Sequence, residues 1–180
     1  MDVRLCSEGA FAVALAVLLG LFKIPLPHLL YGGTVSLEAL PILVVGFRRG
    51  GRVGAVAGAL YGVVDFLLYP VIVHPLQVGL DYPVAFGLLG GVGGGVGHRS
   101  IGHSGQRTRL WIAAGILCGN SARFLAHFLS GIVFFASYAP EGQPVWLYSL
   151  LYNASYIIPQ CIIHILLLQI VLRLIFSKLS

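Results

Sequence analysis

The sequence predicts an all-α, polytopic membrane protein with six transmembrane helices and both termini in the cytoplasm. Three observations carry this prediction. Of 180 residues, 58% are hydrophobic and 9% are charged, whereas a soluble domain carries about 25% charged residues; mean hydropathy is +0.93. The apolar residues fall into six runs that are hydrophobic all round, not along one stripe, as expected of helices with lipid or protein on every side. The cations lie in short islands between those runs and are strongly biased to one side.

A spanning helix needs about 20 mostly apolar residues. The first run is 10–24, started by Ser7 and Glu8 and ended by Pro25 and Pro27. A Gly-rich loop at 31–36 leads to a short second run, 37–47, which must dip or tilt. Arg48, Arg49 and Arg52 stop it. The third run is 53–70, and a loop with His74, Pro75 and Gln77 precedes the fourth, 78–97. A polar island at 98–109 separates it from the fifth, 110–136. The sixth, 145–176, is long enough that Pro159 is expected to kink it. One domain, residues 1–180, accounts for the chain, with no linker and no sequence repeat.

Threading six spans puts Arg4, Arg48, Arg49, Arg52, Arg99, Arg107, Arg109, Arg173 and Lys178 on one side, Lys23 on the other and Arg123 inside the fifth span. Nine cations against one set the orientation by the positive-inside rule, with both termini cytoplasmic and the chain expected in a cell membrane. The same scatter excludes a nucleic-acid partner, despite a net charge of +5, because no basic stripe forms. Cys6, Cys118 and Cys161 have no metal spacing and read as small buried hydrophobes; no metal or cofactor is expected. Gly50, Gly54, Gly58 and Gly62 recur every fourth residue, as do Gly87, Gly91 and Gly95. This spacing lets membrane helices approach closely, either within the fold or against another membrane protein. Ala10/Ala14 and Ala12/Ala16 repeat it in the first helix. No Gly-rich loop is followed by Lys-Ser/Thr, so no phosphate cradle is present.

Charge at membrane depth is costly and marks candidate function. Glu38, Asp65 and Asp81 all fall near the outer level once the topology is drawn, whereas Glu141 sits in an outer loop. Carboxylates gathered there with few cations suit a cationic ligand arriving from outside; the alternative is that they pair with Arg123 or His127 or cap helix starts. Arg123 and His127 are four apart and share a helix face. Phe134, Phe135, Tyr138, Trp146, Tyr148, Tyr152, Asn153 and Tyr156 cluster at the same level. They form either an interfacial aromatic belt, the preferred reading for Tyr138 and Trp146, or a cation–π box. Asn153 inside an apolar helix needs a partner.

Three stretches go further: GGTVSLEALPILVVGFRRG (32–50), HPLQVGLDYPVAF (74–86) and HFLSGIVFFASYAPEGQPVWLYSLLYNASYIIPQ (127–160). Together they resemble the thiamine-specific S components (the ThiT/YuaJ family) of energy-coupling-factor (ECF) ABC transporters. The resemblance implies an S-component-like fold with an outward-facing pocket, thiamine as ligand, and a multi-pass subunit that is not an enzyme. It also implies partners: the ECF transmembrane coupling protein, docked on the alanine-spaced first helix, and two cassette ATPases that hydrolyse ATP. The family's pocket residues fall on Glu38, Asp81, His127, Phe135, Tyr148 and Asn153. Phe135 stands where many relatives have Trp, and Thr34 where some have an aromatic. Loss of Glu38 or Asp81 is expected to cost on the order of 2–5 kcal/mol of binding. The alternatives are an S component for another vitamin or a thiamine precursor, and a membrane enzyme, for which no metalloprotease motif, paired-aspartate motif or Ser-Lys dyad is present. Ser130 and His127, three apart on one helix, are poorly placed as a nucleophile–base pair.

Overall fold

The computed structural model describes residues 3–26 and 33–176. Asp2, residues 31–32 of the predicted Gly-rich loop, and Lys178 lie outside the described residues. The elements are α1 (Val3–Gly20), β1 (Ile24–Pro25), β2 (Thr34–Val35), α2 (Ala39–Arg49), α3 (Gly51–Leu68), α4 (Pro75–Gly79), a π-helical turn (Leu80–Val84), α5 (Ala85–Gly97), α6 (Gly105–Phe134) and α7 (Val145–Phe176). Because α4, the π turn and α5 follow one another without a break, they form one helical run, and six helices correspond to the six predicted spans. Short 3-10 turns follow α5 and α6 at His98–Ser100 and Ala136–Tyr138.

Among the described residues, four helices, α1, α3, α6 and α7, are long and apolar enough to cross a membrane by themselves. The other two fall short for local reasons. α2 has 11 residues, about 16 Å at the α-helical rise, and is prolonged outward by the extended β2. The fourth run is broken into three helical types. The chain is a multi-pass membrane protein, and large apolar side chains such as Phe11, Leu67, Val133 and Leu166 stand exposed on its helices, where acyl chains cover them.

The boundaries differ from the sequence expectation in instructive ways. α1 starts at Val3 and ends at Gly20, so Pro25 does not terminate it. Instead, Pro25 belongs to a two-residue antiparallel ladder, Ile24 opposite Val35 and Pro25 opposite Thr34. That ladder pins the α1–α2 connection over the outer end. α7 passes through Pro159 as one helix. The cysteine expectation needs correction: Cys161 is buried, but Cys6 and Cys118 are exposed, because each falls on an outward side of its helix.

Glycine decides the packing. Gly54 and Gly90 lie so close that a Cβ on either would fall on the other's carbonyl oxygen, and Gly58 and Gly62 sit in the same way on the backbone at Phe86 and Tyr82. Gly54, Gly58 and Gly62 of the α3 row are thus used inside the fold, against α5 and the π turn, whereas Gly50 meets nothing within 4 Å. Gly93 of α5 meets Gly115 and Gly119 of α6, so α5 is gripped from both sides. Around this spine, Ile42, Leu43, Phe86, Leu89 and Ile116 make the core. α1 seats Ala12, Ala16 and Gly20 inward, leaving Ala10 and Ala14 exposed. Between α2 and α3 the chain reverses at Gly50 (φ 89°), a conformation that side chains resist. On that cytoplasmic face Arg49 clasps Glu8 of α1, Nε donating at 2.8 Å and the terminal nitrogen at 2.5 Å.

Candidate functional site

The outer ends of the helices enclose a cavity of about 280 Å³, near the small end of the range for small-molecule sites. Each span contributes through the part of its sequence nearest that end: Lys23 beyond α1, Glu38 before α2, Asp65 and Tyr69 at the end of α3, Asp81 in the π turn, Arg123 and His127 from α6, Phe135 just after it, and Tyr148, Asn153 and Tyr156 from α7. All six residues singled out in the sequence, Glu38, Asp81, His127, Phe135, Tyr148 and Asn153, line this one cavity.

The charges sort into two groups. The first is a closed quartet. Lys23 Nζ lies 2.5 Å from Asp65 Oδ1 and 3.5 Å from Glu38 Oε2 and stands over the Tyr69 ring at 4.3 Å. The Tyr61 hydroxyl donates to Glu38 Oε2 at 2.8 Å. Arg123 reaches the other oxygen of Glu38 at 3.8 Å and lies over the Phe86 ring at 4.3 Å. Below it, Arg123 touches Gln160 Oε1 at 3.4 Å, and Gln160 donates to the Ser36 carbonyl at 3.0 Å. Glu38 occupies the N-cap position of α2 but makes no capping bond; its carboxylate is turned into the quartet, where it is 2% exposed.

The second group is Asp81 and its neutral donors. Asp81 Oδ2 accepts from Gln77 Nε2 at 2.8 Å and from Ser130 Oγ at 2.9 Å. Asp81 Oδ1 lies 3.1 Å from His127 Nδ1. A guanidinium can only donate, and Arg123 Nε points at His127 Nε2 at 3.3 Å. His127 therefore accepts at Nε2 and carries its proton on Nδ1, so it meets Asp81 as a neutral imidazole. Among the described residues, Asp81 is the lining acid with no full cation beside it. Among the described residues, three lining carboxylates against two lining cations leave one negative charge, which falls to Asp81.

The π turn explains how Asp81 gets there. Pro83, inside it, has no amide proton to donate, and the widened turn aims Asp81 inward while Tyr82 faces the α3 end. The Tyr82 hydroxyl donates to the Tyr69 carbonyl at 2.8 Å and accepts from Val71 N–H at 2.9 Å, fixing the turn to that loop. Asn153 is held by Tyr156, whose hydroxyl donates to its Oδ1 at 2.8 Å, and by its own donation to the Ser149 carbonyl at 2.9 Å. Tyr148, Tyr152 and Tyr156 form an aromatic ladder along α7, with ring centroids 5.8 and 6.3 Å apart. Phe135 and Tyr138 pack at 5.8 Å at the outer rim.

Sequence reasoning missed Lys23, Tyr61, Gln77 and Gln160, and left Asp65 and Arg123 without roles. Tyr61 and Gln77 were discoverable, since each stands four residues before an acid on the same helical run. Ser130, weighed as a nucleophile beside His127, instead joins it as a donor to Asp81.

The six helices and the small anionic cavity among their outer ends define a multi-pass membrane transport protein whose fold is that of an ECF S component. The chain belongs to the thiamine transporter protein family, Thia_YuaJ, whose profile matches residues 6–179. It is 37% identical over 165 residues to thiamine transporter ThiT of Bacillus subtilis, covering 89% of this chain and 84% of that one. It is 33% identical over 156 residues to thiamine transporter ThiT of Lacticaseibacillus paracasei, covering 82% and 74%. In structure it superposes on ThiT from Listeria monocytogenes with a TM-score of 0.83 at 23% identity over 95% and 94% of the two chains. The S component of a bacterial ECF transporter matches at 0.67, with 14% identity and 98% coverage of each.

Proposed function

We propose that the whole chain, residues 1–180, is the thiamine-binding S component of an ECF importer. It would capture thiamine from outside and deliver it inward together with the transmembrane coupling protein and two cassette ATPases, performing no chemistry itself. The relatives named as thiamine transporters support this reading, and one observation of the cavity carries it: a single uncompensated carboxylate, Asp81, in a cavity that Phe135, Tyr148 and Tyr156 also line. Thiamine bears one permanent positive charge on its thiazolium, so its entry would bring the cavity to neutrality. At about 4 Å, a unit charge pair at the effective dielectric of a protein site interacts by about 4 kcal/mol, and Phe135 and Tyr148 offer ring faces to the same cation. Asn153 Oδ1 retains a second lone pair for the aminopyrimidine donor. His127, both of whose nitrogens are engaged, acts by orienting Asp81 and by presenting its ring. Glu38 acts as the keystone of the quartet that walls the cavity.

Isothermal titration of the detergent-purified chain tests this. Thiamine is expected to bind tightly, with riboflavin and biotin giving no heat. Tighter binding of the uncharged pyrimidine moiety alone, or no thiamine binding by folded protein, would overturn the assignment.

A further inference from the structure

We infer that Lys23, paired with Asp65, is a specificity determinant that fixes the ligand charge the cavity accepts. The inference rests on the reading of the cavity as the ligand site and adds a residue pair to it. Lys23 is the sole cation that the topology places on the outer side, and it comes from the connection beyond α1, not from the walls that hold Asp81. Its side chain is 16% exposed, and its ammonium is already held by Asp65 at 2.5 Å, Glu38 at 3.5 Å and the Tyr69 ring beneath it. A cation so held offers no site for an anionic ligand group. Its effect is subtraction: it cancels Asp65 and, with Arg123 on Glu38, reduces three lining acids to a net single charge. Without it the cavity would carry two uncompensated acids and favour cations more steeply. Without Asp65, the freed ammonium would cancel Asp81 at a distance, and the cavity would lose its preference for a cation. The pair is 42 residues apart in the chain, so the balance depends on the fold bringing the α1–α2 connection onto α3.

The readout is the ratio of affinities for thiamine and for its neutral isostere, in which a thiophene ring replaces the thiazolium. Shape, hydrogen bonding and any general damage to the pocket cancel in that ratio, and binding of the isostere reports that each variant is folded. Relative to wild type, Lys23→Gln is expected to raise the ratio about tenfold, and Asp65→Asn to lower it about tenfold, for one unit charge acting through a partly dry cavity. The double variant Lys23→Gln/Asp65→Asn restores the single net charge and is expected to bring the ratio back to within about threefold of wild type. A ratio unchanged across all four proteins, or a double variant that stays at the value of either single one, would overturn the inference while leaving thiamine binding intact. Absence of thiamine binding by the wild type would instead defeat the functional reading on which it stands.

Discussion

At the scale of single residues, the cavity shows how two acids of the same apparent rank in sequence come to do different things. Glu38 stands at the start of α2 and Asp81 in the π turn, both at the outer level. One is enclosed by Lys23, Arg123 and Tyr61, and the other meets neutral donors alone. The presence of these side chains was legible in the sequence, because charge inside apolar runs stands out. Their partners were not, because the Lys23–Asp65, His127–Asp81 and Ser130–Asp81 contacts join residues 42, 46 and 49 positions apart, a relation that periodicity cannot carry. The quartet makes a stability prediction. Arg123→Met removes one partner of a pair in which both side chains are at most 7% exposed, and should destabilise the ligand-free protein by about 3–5 kcal/mol. Thermal unfolding in detergent checks this; an unchanged midpoint would mean that the quartet contributes nothing to the fold.

At the scale of elements, the glycine rows carry the architecture. Their spacing in α3 was visible in the sequence, but whether they faced inward or toward another protein was open. Contact with the backbone at Phe86 and Gly90 settles it for α3. The π turn around Pro83 was not foreseen, since a proline in an apolar run signals irregularity without saying which kind, and its consequence, an inward Asp81, depends on that kind. The two glycine rows should differ sharply when alanine is introduced. Gly58→Ala drives a methyl group into the Phe86 carbonyl and should cost about 1–3 kcal/mol or more. Gly87→Ala, whose methyl would meet Ala55 and Ala59 no closer than 3.5 Å, should be neutral or stabilising by up to about 1 kcal/mol, because alanine is the better helix former. Equal unfolding midpoints for the two variants would contradict the packing described for α3 against α5.

At the scale of the whole molecule, orientation was legible because it follows from counting cations, and six helices followed from hydropathy even though two of them fail a simple length test. In a background with Cys6, Cys118 and Cys161 replaced by alanine, His103→Cys lies in the exposed connection between α5 and α6, and Glu141→Cys in the exposed one between α6 and α7. A membrane-impermeant thiol reagent on intact cells should label the second and not the first, with the first reacting after permeabilisation; the reverse pattern would invert the topology and place the cavity on the cytoplasmic side. The outward cavity, its net charge and the family converge on one residue, so the decisive experiment is a side-by-side titration of the wild-type protein and Asp81→Asn with thiamine. A loss on the order of 2–5 kcal/mol in the variant, roughly 30-fold or more in affinity, is expected if Asp81 holds the ligand's positive charge. Equal affinities in two equally folded proteins would show that the cation is held elsewhere.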